Sequence, residues 1–318
     1  MWVRDSRGGF RVNSAIPFVA DIVFIDPTNG SDGNGGKRQN DALASLTEAQ
    51  DRITDNHNDM VVLTPGGVGT GTGTSEAAAL TWSKNLCAIV GSCAPSPVSQ
   101  RARILSTTAG VSTTTACFII TGHGNTFQNL QIGTFVDNNK LVQVNSDRNA
   151  FLNVHFAGIG DATAGDDAEG RSLILSGAEE NLFSHCVFGL DTIMRSTTNS
   201  EVEFASSASR NLFENCRFIK AADNVGSTFV LSTGASGVDR WNEFNNTSWY
   251  SFWTNNADKI TAVFNLSDQT TTGHILLTGN QVMVGCDDWE ATASGRLYME
   301  PASATANAIG IAINPTVS

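Results

Sequence analysis

Charged side chains are scarce in this chain: Asp, Glu, Lys and Arg together make up 16% of 318 residues. The charged residues that favour long surface helices are therefore in short supply, and a helix-rich fold is not expected. Basic residues are the scarcer sign, 19 against 31 acidic, and the net charge of −12 removes the positive footprint that nonspecific nucleic-acid binding requires. No apolar run reaches the length of about 18 residues that spans a bilayer, so no membrane span is expected. The stretch Met1–Arg11 has no apolar core of signal-peptide length, and synthesis and folding in the cytosol follow as the expectation. Cys87, Cys93, Cys117, Cys186, Cys216 and Cys286 show no metal-ligand spacing, so neither a metal nor another cofactor is expected.

What the chain does have is a repeated phrase. Five times an eight-residue unit begins with Asn and places large apolar residues third and eighth: Asn125 with Phe127 and Ile132, Asn149 with Phe151 and Phe156, Asn181 with Phe183 and Phe188, Asn211 with Phe213 and Phe218, Asn242 with Phe244 and Trp249. The starts are separated by 24, 32, 30 and 31 residues. A self-similar period in this range marks stacked repeats. The fifth position is Asn129, Asn153, His185, Asn215 and Asn246. Asn there suits a tight bend between two short strands, because it tolerates the left-handed conformation.

A second apolar stretch separates the phrases: Leu141–Val144, Leu173–Leu175, Val202–Phe204, Phe229–Leu231 and Val263–Leu266. The unit thus reads strand, bend, strand, loop, strand, with no helical period. Propeller blades need longer units, and leucine-rich, ankyrin and tetratricopeptide repeats need helical or Leu-x-x-Leu spacing that is missing. The expected fold is all-β: a coil of short parallel strands, each turn resting on the one before it, in which equivalent residues stack about 4.8 Å apart. Phe151, Phe183, Phe213 and Phe244 should form one internal ladder, Phe156, Phe188, Phe218 and Trp249 another, and the Asn residues polar ladders at the bends. Cys186 and Cys216 share a repeat position and should be buried free thiols; Cys87 and Cys93 are the other pair close enough to watch.

Before the repeats, Asp21–Ile25 reads as a strand and Asp26–Gly36 as a turn-rich loop. Ser45-Leu-Thr-Glu48 is a capping box opening a short helix to about Ile53, followed by the strand Asp59–Leu63 with Pro65-Gly66 and an early turn at Leu86–Gly91. This layout resembles the pectin-lyase-like right-handed parallel β-helix superfamily, over roughly residues 20–290. The resemblance implies architecture, with the short helix plugging the open end, and leaves function open because that fold hosts many activities. The organisation expected is an arm at 1–20, the β-helix at 21–290, and a C-terminal cap or extension at 291–318 carrying one apolar strand, Ile309–Ile313.

Candidate functional residues fall in three places. The arm holds Arg4, Arg7 and Arg11 against Asp5, with Trp2 and Phe10; it reads as a docking arm or as a strand covering the first turn's edge. Trp241, Tyr250 and Trp253 form an aromatic cluster suited to a subunit contact or a sugar platform. Asp161, Asp166, Asp167 and Glu169, and separately Asp287, Asp288 and Glu290, are acidic clusters that read as solvated loops. A glycosidase needs two carboxylates about 5–10 Å apart on one face. The polygalacturonase motif set runs Asn-x-Asp, Asp-Asp, Gly-His-Gly, Arg-x-Lys; this chain has Gly122-His123-Gly124 before Asp166-Asp167, in reversed order and without Arg-x-Lys. No catalytic role is carried over. Arg171, Arg195 and Arg217 match no lyase motif, and His155 is expected to point outward.

The chain also looks like β-helix proteins of tailed-bacteriophage virions: acidic, rich in Asn, Thr, Ser and Gly, with a short arm outside the repeat. That resemblance implies a non-catalytic capsid decoration or cement protein or a short spike, made in the host cytoplasm and carried on the virion. Its partners would be other virion proteins of the capsid or tail and two further copies in a homotrimer, with a host-surface glycan as a further ligand. The alternatives are a polysaccharide-cleaving depolymerase or lyase and a non-catalytic glycan-binding adhesin.

Overall fold

The computed structural model describes residues 19–66, 79–106, 115–165, 167–224, 226–233 and 241–251. For Phe252 and Trp253, and for the strands Trp2–Arg4, Phe10–Val12, Thr74–Glu76, Phe264–Asn265, Ile275–Thr278, Gln281–Cys286, Met299–Pro301 and Ile311–Ile313, it describes the backbone alone.

Each repeat phrase spans two strands and the corner between them. In the fourth copy Leu212–Glu214 is followed by a corner at Asn215 and by Arg217–Ala222. The apolar stretch after it, Thr228–Ser232, supplies the third strand before the chain returns to Asn242–Asn245 one turn further on. The strands of the coil pair in parallel with their counterparts in the neighbouring turns, so the coil has three faces. The first face holds nine strands, from Ile22–Ile25 to Ile275–Thr278; the second holds nine and the third seven.

Register puts like residues on like. Phe127 pairs with Phe151, Phe151 with Phe183, Phe183 with Phe213 and Phe213 with Phe244, and the rings stack at 4.9, 4.8, 4.6 and 4.6 Å between centroids. The second ladder runs Phe156, Phe188, Phe218, Trp249 at 4.9, 4.7 and 4.2 Å. Both expected ladders are internal, and the spacing is that of neighbouring strands. One ladder meets the other at a tilt, as between Phe188 and Phe213 (5.7 Å, 59°), which lets ring edges meet ring faces.

The Asn residues hold the corners. Asn125, Asn149, Asn181, Asn211 and Asn242 are buried at the start of the first face. Each side-chain oxygen accepts the backbone N–H of the equivalent residue one turn back: Asn149 N–H donates to Asn181 Oδ1 (2.9 Å), Asn181 N–H to Asn211 Oδ1 (3.0 Å) and Asn211 N–H to Asn242 Oδ1 (3.0 Å). A corner N–H with no strand partner is thereby satisfied inside the protein. At the next corner Asn129, Asn153, His185, Asn215 and Asn246 take φ of 56°, 51°, 55°, 53° and 48°, the left-handed region that Asn tolerates better than most residues.

The helix Leu46–Arg52 forms as the capping box implies, with Ser45 Oγ accepting Glu48 N–H at 3.2 Å. The reciprocal half differs. Glu48 turns to Arg52 (2.6 Å), and Asp32 from the preceding loop accepts Ser45 N–H instead (2.9 Å). Leu46 and Ala49 are fully buried in the same core as Val23 and Val61 of the first two turns. The two terminal segments pair within themselves: Trp2–Arg4 is antiparallel to Phe10–Val12, and Met299–Pro301 to Ile311–Ile313. Among the described residues neither hairpin adds a strand to the coil.

Cys87, Cys117, Cys186 and Cys216 are buried free thiols and Cys93 is half-buried; the side chain of Cys286 lies outside the described residues. Burial, with the Asp59 charge adding to it, pushes Cys87 up to about 11, and burial beside Cys186 raises Cys216 well above the ordinary range. Thiolate is the reactive form. Cys87 and Cys216 are therefore expected, and the fully buried Cys186 for lack of access, to resist iodoacetamide at pH 8 in the folded protein and to label in urea, read by peptide mass spectrometry. Labelling of Cys186 or Cys216 in native buffer at the rate of a free thiol would place them outside the core.

Candidate functional site

The acidic loop that follows the second face is built from local contacts. Asp161 Oδ1 accepts Thr163 N–H (2.9 Å), Asp167 Oδ1 accepts Glu169 N–H (2.8 Å), and Glu169 pairs with Lys140 at 2.9 Å. Asp166 lies outside the described residues, as do the cluster at 287–290 and the side chains of Trp2, Arg4, Phe10, Arg11 and Trp253; Arg7 is outside them altogether. Gly122-His123-Gly124 sits at the corner leading into the first face, where Gly124 has φ +67°. Asp167 sits on the connection from the second face to the third. Different edges of the coil carry the two motifs, so they do not meet.

The corner leading into the first face also carries an exposed ridge. Arg148, Glu180, Arg210 and Trp241 each take left-handed φ immediately before the buried Asn. Glu180 bridges Arg148 (2.8 Å) and Arg210 (2.9 Å), and Arg210 also pairs with Glu179. The hydrogen bond from Arg210 holds the Glu180 carboxyl below its usual range. Trp241 is the next rung and is 53% exposed. Tyr250 is half-buried on the second face, a full strand and a corner away. Trp241 and Tyr250 therefore do not share a patch.

His155 lies on the outer side of the second face, as expected, but it is 1% exposed. The expectation missed a covering loop: Ser99 N–H donates to His155 Nδ1 (3.1 Å), and His155 Nε2 meets Gly189 O (3.1 Å). Burial lowers its pKa, and the Gly189 contact opposes this without reversing it. An outward position in one turn was closed by a loop from an earlier turn, which strand alternation does not reveal.

The densest charged cluster is inside the coil. Glu201, at the start of the third face, has no exposed surface. Its Oε1 accepts Arg195 Nε at 3.1 Å, and its Oε2 accepts the Ser172 hydroxyl. Arg195 is also fully buried; Nη1 donates to Ile159 O (3.2 Å), while Nη2 has no hydrogen-bond partner. Lys220, 1% exposed, donates to Ser227 Oγ (2.8 Å) and to Thr228 O, and its ammonium lies 5.4 Å from the centre of the Phe229 ring. Two glycines make room for the carboxylate. A Cβ on Gly158 (φ +66°) would sit 2.0 Å from Ser172 Oγ, and one on Gly189 (φ +91°) would sit 2.8 Å from the Glu201 carboxyl carbon.

Burial opposes ionisation of Glu201, but the charges of Arg195 and Lys220 and the hydrogen bonds from Ser172 and Arg195 outweigh it, so Glu201 stays ionised. Sequence reasoning missed this cluster. Its signal was present: Phe218, Lys220 and Ala222 alternate along one strand, and Phe218 belongs to an inward ladder. Beside it, Arg171 pairs with Glu203 at 2.8 Å. The cluster is sealed, so no substrate reaches it as the coil stands. Among the described residues no three His, Cys, Asp or Glu side chains converge as a metal site would require, and no helix is long and apolar enough to cross a membrane.

No family model and no curated relative matches the sequence. Solved structures do match the coil. The pectin methylesterase from Aspergillus niger aligns over 85% of this chain and 87% of its own at 10% identity with a TM-score of 0.50. The catalytic domain of a GH87 α-1,3-glucanase, in complex with nigerose, aligns over 85% of this chain and 46% of its own at 11% identity, also at 0.50. This is a right-handed parallel β-helix. At these identities the likeness concerns the fold alone, and the site chemistry of this β-helix has to be argued from its own side chains.

Proposed function

We propose that this β-helix is a non-catalytic structural component of a tailed-bacteriophage virion, a capsid decoration protein or short spike that docks through residues 1–20. The observation that carries the non-catalytic part is that four of its carboxylates are committed to basic partners. Glu201 is bound to Arg195, Glu203 to Arg171, Glu180 to Arg148 and Arg210, and Glu169 to Lys140. These pairs fasten one turn or loop to another, which suits a rigid rod. The virion assignment is supported by the sequence resemblance and by an arm hairpin that pairs with itself rather than with the coil. The outer sheet faces of the coil offer the surface for lateral association into a homotrimer.

A second reading is favoured by a different observation. Two structures of the same fold are of enzymes named for polysaccharides, a pectin methylesterase and an α-1,3-glucanase. Trp241, half exposed as the next rung of the Arg148–Glu180–Arg210 ridge, is an aromatic residue of the type that sugars stack on. On this reading the chain cleaves or binds a polysaccharide.

One experiment separates them. The full-length protein and a form lacking residues 1–18 are incubated with particles stripped of their decoration or spikes, and with a polysaccharide panel monitored for new reducing ends, released methanol and retention. Arm-dependent particle binding without cleavage supports the virion role. Cleavage or methanol release that Asp166→Asn or Asp167→Asn abolishes, or retention that Trp241→Ala abolishes, with no particle binding, overturns it for the second reading.

A further inference from the structure

The cluster around Glu201 holds one more base than acid. Arg195 pairs with Glu201 and Lys220 is near enough to feel its charge, while the neighbouring Arg171 and Glu203 neutralise each other. Groups farther out do not change this count. Arg217 points to the outside of the same strand, and Asp223 is exposed at its end. His155 lies on the far side of the second face, bound to Ser99 and Gly189. Lys220 reaches no carboxylate; its contacts are the Ser227 hydroxyl, the Thr228 carbonyl and the Phe229 ring. A corner closed to solvent accommodates one ion pair far more readily than an ion pair plus a second cation.

We infer that the turns between Arg195 and Phe229 take up a proton at Lys220 when they open, so that this part of the coil is held more tightly at mildly alkaline pH than at neutral pH. Opening brings water to the amine, which then accepts a proton; closing expels that proton and leaves the amine neutral beside Ser227 and Thr228. Burial, with Arg195 and Arg171 adding to it and Glu201 opposing, brings Lys220 from 10.5 down to about 7. The opened form therefore binds more protons than the closed form between about pH 7 and the ordinary lysine value, and stability rises with pH across that window. Below it both forms are protonated, and the destabilisation is complete.

The test compares urea unfolding of the wild type with that of Lys220→Met at pH 7 and pH 9. Buried thiols such as Cys87 and Cys216 oppose the trend as pH rises, and the comparison cancels them because both proteins carry them. The ratio of unfolding constants, wild type over variant, should fall by roughly tenfold per pH unit through most of this range. A ratio that stays constant overturns the inference. Should Lys220→Met not fold, carbon-13 NMR of the lysine Cε atoms in the wild type decides the question. One lysine titrating near neutrality bears the inference out, and every lysine titrating above pH 9 overturns it.

Discussion

Replacing Phe213 with alanine is expected to lower the free energy of unfolding by about 3–5 kcal/mol. The ring is fully buried and sits in the middle of a ladder, stacked at 4.6 Å on both Phe183 and Phe244. It also meets Phe188, Phe204 and Phe218 edge-on or tilted. Removing it takes away the transfer free energy of the ring and leaves a void between two turns. Hydrogen bonds of the adjoining strands hold those turns apart at about 4.8 Å, so they cannot collapse into it. Urea unfolding followed by tryptophan fluorescence reads the loss; a change below about 1 kcal/mol would mean that the corner relaxes freely. Phe213→Leu should recover much of the loss by refilling the void.

Glu201→Gln should cost a similar amount, about 3–5 kcal/mol. Glutamine keeps the shape and can still accept from Arg195, but it leaves a buried guanidinium with no counter-charge. Removing both partners in Arg195→Met/Glu201→Leu should cost much less than the two single changes together, because neither the guanidinium nor the carboxylate is then left without its partner. Equal costs for Glu201→Gln and the double variant would mean that hydrogen-bond geometry outweighs charge in this corner. Since Glu201 is held below its ordinary value of 4.5, its contribution is present above that pH and is lost as pH falls through the lower folded-state value. The gap between wild type and Glu201→Gln should therefore narrow in acid.

Much of the architecture was legible in the residues because a stacked coil repeats its own contacts. Phe183 and Phe213 occupy the same place in successive phrases, and parallel register sets one over the other. The Asn ladder was readable for the same reason: a corner residue that must satisfy a backbone N–H one turn away, in every turn, leaves the same letter at the same spacing. Ser45 announced its helix through a local rule, although Asp32, thirteen residues earlier, took over half of the capping box.

Side-chain contacts between different faces were not legible. Trp241 and Tyr250 are close along the chain, but the corner at Asn246 puts them on different surfaces. Gly122-His123-Gly124 and Asp167 leave the coil at different edges. His155 looked outward until the Ser99 loop covered it. The sequence by itself determined the period, the inward ladders, the corner residues and the acidic balance, because each of these is a local property repeated turn after turn. Only the tertiary structure decided which charges meet. Glu201, Arg195 and Lys220 come from three separate segments, and they are brought together because the coil closes its second face onto its third, in a lumen where an unpaired charge is costly.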